Sequence, residues 1–283
     1  GMIKDDVIES VESSEWVSPI VAVAKQDGSI RVCGDFKNTL NPALDSHSYP
    51  LPTIEECFAV HAGAQYFTKL DISKAYNTIP LHPDDQLLTT IATPQGLFKW
   101  KRLPFGIATA SSIFQNMMDN VLRGCVRTCV RVDDILISGT DLCTHNENVC
   151  SVIRALETAG LRCNSQKSSF RVKSVTYLGH EISVSGVRPL RDKVVHIRDC
   201  KYPENRDELI SFLGLINYYS RYLPNLSTIL EPFNRLRVKS VEWRFGEAEK
   251  AAMDTVKQRL IERPLLSLYD QKCDVILDCD ASS

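Results

Sequence analysis

The segment CVRVDDILIS, residues 129–138, places two adjacent carboxylates, Asp133 and Asp134, inside an apolar run of β-preferring residues. This pattern predicts a strand, a turn at the two acids and a second strand. A solvated turn is one interpretation, and it suffices for Asp84 and Asp85, which have polar neighbours. Apolar neighbours make the first pair different, because two poorly solvated carboxylates repel each other and one pKa should rise. A bound divalent cation would remove the conflict, since oxygen ligands suit Mg²⁺.

A third carboxylate, Asp71, ends another apolar run, FTKLDIS at 67–73. Three carboxylates on adjacent strand ends can hold two metal ions, one activating an attacking hydroxyl and the other neutralising a leaving pyrophosphate. Polymerases and nucleases both use such sites, so the acids alone leave the two classes open.

Composition sets wide limits. The 283 residues are 43% hydrophobic with a net charge of −2, which is ordinary for a globular protein. No apolar run approaches the ~18 residues of a membrane span, and the N-terminus lacks the apolar core of a signal peptide. An excess of bases over residues 160–201 indicates either a local nucleic-acid surface or a merely solvated face.

The ten cysteines show no regular disulfide framework, which favours reduced thiols in an intracellular protein. A zinc cluster has little support, since its candidate ligands contain no CxxC pair. Those candidates are Cys125, Cys129, Cys143, His145 and Cys150.

Local patterns predict a mixed α+β body followed by a helical module that begins near residue 186. The predicted β-hairpins are 16–36 with a turn at Asp27-Gly28, 87–106 with a turn at 94–96, 129–138 and 174–187. The predicted helices are 52–63 with a Thr53–Glu56 capping box, 108–124, 144–159, 207–223 and 246–264, and a final strand covers 273–283. In the helix over 108–124, the predicted apolar face is Ile113, Phe114, Met117, Met118 and Val121.

Several motifs occur in order along nearly the whole chain, about residues 15 to 283. They are SPIVAVAKQDGSIRVCGDFK (18–37), Asp71 with Tyr76, LPFG (103–106), IFQ (113–115), VDD (132–134), GLRCNSQKSSF (160–170), YLGH (177–180) and FLGLINYYSRYLPN (212–225). Together they resemble the reverse transcriptase of a gypsy-type LTR retrotransposon. The resemblance implies an α+β right-hand polymerase with fingers, palm and thumb, whose antiparallel palm sheet packs on helices.

The resemblance also implies subdomains and site residues. The subdomains would be fingers at 1–55 and 82–105, palm at 56–81 and 106–185, thumb at 186–245, and from 246 to 283 a connection helix with the start of a ribonuclease H domain. Asp71, Asp133 and Asp134 would bind metal, Lys25 and Arg31 would contact the triphosphate, and Lys167 would protonate pyrophosphate. Tyr76 would exclude a ribose 2′-hydroxyl, Phe105 and Gly106 would lie beside the nascent base pair, and Gln115 would contact the template. His180 and Tyr219 are expected to be structural.

The sequence departs from the family pattern at four points. Arg131 replaces an aromatic residue, Ser111 replaces a proline, Ser168 replaces a cysteine, and DFKNTLN at 35–41 carries an extra residue. Arg131 could stack on a base, reach a phosphate, or pair with Asp133 or Asp134 and compete with metal.

The expected function is RNA-directed DNA polymerisation with two Mg²⁺ ions, which Mn²⁺ could replace, on an RNA or DNA template with primer and dNTPs. A decayed or domesticated copy that binds nucleic acid or a protein partner is the alternative, and a two-metal nuclease is a third. The resemblance further implies a polyprotein that also carries ribonuclease H and integrase, a cytoplasmic virus-like particle and no membrane, and it leaves the oligomeric state open.

Overall fold

The computed structural model describes residues 1–24, 28, 30–45, 49–262 and 264–268. Its strands are β1 (Ile8–Val11), β2 (Ile20–Ala24), β3 (Ile30–Gly34), β4 (Tyr66–Asp71), β5 (Ile91–Thr93), β6 (Gly96–Trp100), β7 (Thr128–Arg131), β8 (Asp134–Gly139), β9 (Ser169–Val172), β10 (Ser174–Tyr177), β11 (His180–Ser183) and β12 (Gly186–Pro189). Its α-helices are α1 (Ile54–Ala59), α2 (Ala110–Val121), α3 (Leu142–Thr158), α4 (Arg191–Asp199), α5 (Arg206–Tyr218), α6 (Leu226–Ile229) and α7 (Glu247–Ile261).

The chain forms two compact units. The first contains Gly1–His61 and Thr68–Arg171, and the second contains Ala62–Phe67 and Val172–Ser283. The finer subdomain boundaries expected from the resemblance stay predictions. In the described part of the chain, no helix is both long enough and apolar enough to cross a membrane.

In the first unit, β2 and β3 form the predicted antiparallel hairpin, in which Val23 pairs with Arg31. Gly28 has φ +78° in its turn, whereas Lys25 and Asp27 lie outside the described residues. The predicted hairpin of β5 and β6 is also present. β1 extends it to a sheet of order β1-β6-β5, and the acidic N-terminus gave no indication of this strand.

A second sheet of the first unit has the order β7-β8-β4-β9. β7 and β8 form the predicted antiparallel hairpin with Arg131 opposite Asp134, so residues 132 and 133 make the turn. Behind it lies a core to which α2 contributes Phe114 and Met118, both fully buried. Each such side chain stabilises the fold by roughly 1.5–3 kcal/mol, and the packing fixes the hairpin against α2.

The apolar face predicted for α2 is wrong at one position. Ile113 is 42% exposed, while its neighbour Gln115 is fully buried. Apolar periodicity could not show this, because the amide of Gln115 is buried together with its hydrogen-bond partners, as described below. α1 begins as predicted, since Thr53 and Glu56 form the capping box.

In the second unit, β10, β11 and β12 form a three-stranded antiparallel sheet rather than the single predicted hairpin. The helical module therefore begins with α4 at Arg191, not near residue 186. α5 ends at Tyr218 and a 3₁₀ turn follows at Ser220–Tyr222, so the helix is shorter than predicted. α7 ends before Pro264 as predicted. The strand predicted at 273–283 lies outside the described residues.

The β10–β11 turn is anchored from within the same unit. Leu178 and Gly179 both have positive φ, and their carbonyl oxygens accept hydrogen bonds from the hydroxyls of Tyr218 and Tyr219. His180 and Tyr219 are buried, which confirms the structural role expected for both.

Candidate active site

Asp71 and Asp133 meet at one end of the β7-β8-β4-β9 sheet. Asp71 is the last residue of β4, Asp133 lies in the β7–β8 turn, and β4 is the neighbour of β8. The N–H of Ile72 donates to the carbonyl oxygen of Asp133 at 3.3 Å, which joins the two segments directly. Both acids line a cavity of about 500 Å³, together with Arg31 and Lys167. The structure therefore brings carboxylates and bases to one concave site.

Asp134 has a different environment. Its carboxylate forms a 2.9 Å ion pair with Lys69, a residue of β4, and both side chains are mostly buried. In the ranges that the structure describes, no group of three His, Cys, Asp or Glu residues is arranged to hold a metal ion. Asp71 and Asp133 thus line the same cavity, whereas Asp134 forms an ion pair with Lys69.

The electrostatics of the hairpin tip match the conflict expected from the sequence. Desolvation by the surrounding protein raises the pKa of Asp133, although its side chain still reaches solvent. The nearby charges of Asp134 and Asp71 raise it further, while a backbone hydrogen bond and Lys69 lower it. A positive charge placed at this carboxylate would therefore be stabilising.

Gln115 fixes the shape of the β7–β8 hairpin. Its Oε1 accepts the N–H of Val132 at 2.7 Å, and its Nε2 donates to the carbonyl oxygen of Val130 at 3.0 Å. Nε2 also donates to Asp119 at 2.9 Å. Gln115 is fully buried, and in this conformation it positions the carboxylate turn. The template contact expected from the resemblance stays a prediction.

Val132 adopts φ +58°, the left-handed region that β-branched residues rarely occupy. Such a conformation costs on the order of 1–3 kcal/mol and persists only where surrounding contacts stabilise it. The hydrogen bond from Val132 to Gln115 is one of those contacts, and the conformation places Asp133 at the tip of the turn.

The loop at 162–168 holds Asp71 in place. The carbonyl oxygen of Asp71 accepts the N–H of Asn164 at 2.8 Å, and the N–H of Asp71 donates to Ser168 Oγ at 3.3 Å. Ser168 also donates to the carbonyl oxygen of Asn164 at 2.7 Å. The serine that replaces the usual cysteine therefore links the backbone of Asp71 to that of Asn164. The exposed Lys167 lies on the same loop.

An aromatic cluster adjoins the cavity, which Phe105 lines. The ring of Tyr76 lies 4.9 Å from that of Phe105 and meets Phe114 edge-on at 5.7 Å. The guanidinium of Arg31 lies 4.6 Å from the centre of the Phe105 ring, a cation–π arrangement. Tyr76, Phe105 and Arg31 are thus brought together, and the roles that the resemblance implies for them stay predictions.

Gly106 is required by packing. It has φ +105°, and a Cβ added there would lie 2.1 Å from the carbonyl oxygen of Gly34. The Asn41 side chain fastens the same loop, donating to the carbonyl oxygen of Gly106 and accepting the N–H of Ala108, both at 2.9 Å. These contacts hold the Phe105 loop against β3.

Arg131 is directed to the chain that precedes α1. Its Nε donates to the carbonyl oxygen of Pro52 at 3.3 Å. The carboxylate of Asp134, opposite Arg131 in the hairpin, pairs with Lys69. Whether Arg131 stacks on a base, reaches a phosphate or competes with metal stays a prediction.

Several residues of the site were not predicted. Lys69 and Asn164 lie inside otherwise recognised motifs, and only the fold reveals their contacts. Asp5 lines the same cavity as the carboxylates and pairs with Lys74 at 2.8 Å. No residue pattern in the N-terminal segment indicates this placement. Lys25, the other base expected to contact the triphosphate, lies outside the described residues.

Comparison with known proteins identifies the family. Residues 23–182 match the family described as Reverse transcriptase (RNA-dependent DNA polymerase). The Transposon Tf2-3 polyprotein of Schizosaccharomyces pombe is 33% identical over 266 residues, covering 93% of this chain and 20% of the polyprotein. The Transposon Tf2-7 polyprotein of the same organism is 32% identical over the same coverage. The chain thus spans about one fifth of the length of the curated relatives it matches.

Solved structures support the fold. A foamy viral protease-reverse transcriptase in complex with double-stranded DNA has a TM-score of 0.86 and 23% identity, covering 96% of this chain and 57% of that one. Another, in complex with an RNA/DNA hybrid, has a TM-score of 0.82 and 23% identity, covering 96% and 37%. The α+β right-hand polymerase fold is therefore confirmed. The chain belongs to the reverse transcriptase (RNA-dependent DNA polymerase) family, as the retrotransposon-type domain that its motifs predicted.

Proposed function

We propose that this domain extends a primer 3′-hydroxyl with dNTPs on an RNA or DNA template, using the cavity at Asp71 and Asp133 as its active site. The observation that carries the proposal is the convergence of these two carboxylates with Arg31 and Lys167 around one cavity. Acids suit divalent cations and bases suit a polyphosphate, so the cavity has ligands for both parts of a metal–nucleotide complex.

The donor set fits divalent metal. Asp71 and Asp133 offer carboxylate oxygens, and desolvation together with the charges of Asp134 and Asp71 raises the pKa of Asp133, which a bound cation would reverse. Asp134 is the first residue of β8, directly after Asp133. It would complete the set of ligands if its carboxylate released Lys69 and bound a metal ion. Two Mg²⁺ ions, or Mn²⁺ in their place, would activate the attacking hydroxyl and neutralise the leaving pyrophosphate.

The bases would bind the triphosphate of the incoming nucleotide. Arg31 and Lys167 line the cavity from opposite parts of the sequence, and Lys25 matches the same family role. In the reaction, the primer 3′-oxygen loses its proton and bonds to the α-phosphorus, while the bond from that phosphorus to pyrophosphate breaks. Lys167 would donate a proton to the leaving pyrophosphate.

Tyr76 and Phe105 would form the wall beside the nucleotide sugar and the nascent base pair. Their rings pack against each other at 4.9 Å, and Phe105 itself lines the cavity. A ring held this way can exclude a 2′-hydroxyl by sterics. The gate assignment rests on the family match at Tyr76 and on this packing.

The wider setting is also proposed from relatives. The homologues are polyproteins five times longer than this chain, so further domains such as ribonuclease H and integrase are proposed for the native protein. We also propose that the domain acts inside a cytoplasmic virus-like particle, as the resemblance to retrotransposon proteins implied. Primed template is proposed as the nucleic-acid partner because the foamy viral structures contain double-stranded DNA or an RNA/DNA hybrid.

Primer extension on a poly(rA)/oligo(dT) substrate with Mg²⁺ or Mn²⁺ tests the proposal. The wild type should extend the primer, Asp71→Asn and Asp133→Asn should not, and the exposed Asp85→Asn should behave as wild type. Failure of the wild type to extend would refute the proposal. Nucleic-acid binding without extension would indicate a relic, and cleavage without extension would indicate a nuclease.

A further inference from the structure

Ser111 makes a contact that the family pattern does not contain. Its hydroxyl lies 2.7 Å from the hydroxyl of Tyr76, a side chain-to-side chain hydrogen bond across 35 residues of sequence. The family usually has proline at this position, which offers no such group. Ser111 is the second residue of α2. The first backbone N–H groups of a helix have no acceptor within the helix.

The remaining contacts of the Tyr76 ring are aromatic. Phe105 packs on the ring at 4.9 Å, and Phe114 meets it edge-on at 5.7 Å. Phe114 is fully buried and cannot shift easily, whereas Phe105 is only partly buried. The hydroxyl bond to Ser111 fixes the far end of the side chain.

A steric gate depends on where the edge of its ring lies, because that position decides whether a 2′-hydroxyl fits beside it. We propose that Ser111 is a positioning residue that sets the sugar selectivity of the enzyme by holding the Tyr76 hydroxyl. The inference rests on the proposed function and deepens it, since it assigns discrimination between dNTPs and rNTPs to a pair of hydroxyls. Ser111 acts through Tyr76 and need not touch the nucleotide.

Substitutions in the first turn of α2 can separate the effect of the Ser111 hydroxyl from effects on folding. Ser111→Ala deletes only the hydroxyl. Ser111→Pro restores the usual family residue, and proline is tolerated in a first helical turn because the N–H it lacks has no helical acceptor. Ser111→Thr keeps a hydroxyl and should rescue the effect. Ser112→Ala removes the neighbouring hydroxyl from the same turn and is the matched control.

The measurement is kcat/KM for single-nucleotide addition with dTTP and with UTP on one primed template. A net hydrogen bond of this type supports a change of about 2- to 10-fold. We therefore expect Ser111→Ala and Ser111→Pro to lower the dTTP/UTP ratio by ~2- to 10-fold, while Ser111→Thr and Ser112→Ala keep it. Tyr76→Phe should lower the ratio similarly, and adding Ser111→Ala to Tyr76→Phe should change nothing more.

The outcomes distinguish failure of this inference from failure of the proposed polymerase function. An unchanged ratio in Ser111→Ala and Ser111→Pro, with normal dTTP incorporation, would overturn the inference and leave the polymerase assignment intact. Equal losses for dTTP and UTP would also overturn it, because they indicate a general structural role. Absence of dTTP incorporation by the wild type would overturn both.

Discussion

The side-chain amide of Gln115 accepts the backbone N–H of Val132 at 2.7 Å and donates to the carbonyl oxygen of Val130 at 3.0 Å. One buried side chain thus bonds the backbone on both sides of Arg131, including the N–H of the strained residue that precedes Asp133. The turn that carries Asp133 packs against α2, and its geometry depends on a polar contact inside the core.

Gln115→Leu should destabilise the domain and impair catalysis together. It leaves two buried backbone groups without a partner, at roughly 1–3 kcal/mol each, and removes the contact that favours φ +58° at Val132. Urea unfolding should show a loss of about 2–5 kcal/mol, and primer extension should fall. Asn116→Ala, on the exposed side of the same helix, is the control. Stability within about 0.5 kcal/mol of wild type would show that the amide is dispensable.

Two glycines with positive φ should respond differently to alanine. Gly106 has φ +105° and a Cβ there would meet the carbonyl oxygen of Gly34 at 2.1 Å, whereas Gly96 has φ +121° and open space around it. Gly96→Ala should therefore show only backbone strain, of about 1–2 kcal/mol. Gly106→Ala adds the clash and should lower the melting temperature much more. Equal shifts for both variants in thermal unfolding would contradict the close approach of the Phe105 loop to β3.

The stability of the domain should depend on pH through His61. Burial lowers the pKa of His61 to about 3, and its Nδ1 is hydrogen-bonded to Ser138 Oγ at 2.8 Å. Because the unfolded chain protonates its histidines near pH 6.5, this contribution is present above that pH and lost as the pH falls below it. The free energy of unfolding should fall by about 2 kcal/mol between pH 7 and pH 5.

Urea unfolding at the two pH values measures the effect. His61→Gln should flatten the dependence, while His196→Gln, on an exposed face of α4, should leave it unchanged. His145 adds in the same direction, since burial also lowers its pKa. A slope in His61→Gln as steep as in wild type would exclude His61 as the cause.

Arg131 should be a structural residue in this protein. Its Nε donates to the carbonyl oxygen of Pro52, so Arg131→Tyr and Arg131→Lys should each cost roughly 1–2 kcal/mol of stability for the lost hydrogen bond. The rate of primer extension by Arg131→Tyr should stay within about 3-fold of the wild-type rate. Loss of a hydrogen bond to the reacting groups would change the rate by more than this. A 10-fold or larger rise would mean that Arg131 competes with metal for the carboxylates.

The sequence predicted those features in which local pattern and contact coincide. The β7–β8 hairpin and the Thr53–Glu56 capping box both follow from short stretches of chain. Each rests on residues whose neighbours in the sequence also determine their neighbours in space.

The features that the sequence did not predict share a physical cause. Polar contacts between residues far apart in sequence produce no periodic pattern of residues. The burial of Gln115, the Lys69–Asp134 ion pair and the placement of Asp5 beside the cavity depend on residues far apart in sequence. Ser111 and Ser168 were recognised only as departures from a pattern, and the fold shows that each hydroxyl has its own partner.

The central claim is that Asp133 serves the chemistry at the cavity it shares with Asp71. The most direct measurement is the single-turnover rate of dTTP addition by Asp133→Asn on saturating primed template, beside wild type and Asp85→Asn. Losing a metal-binding carboxylate removes several kcal/mol of transition-state stabilisation, so the rate should fall by about 1000-fold or more with template affinity unchanged. A rate for Asp133→Asn within 10-fold of wild type would contradict the account.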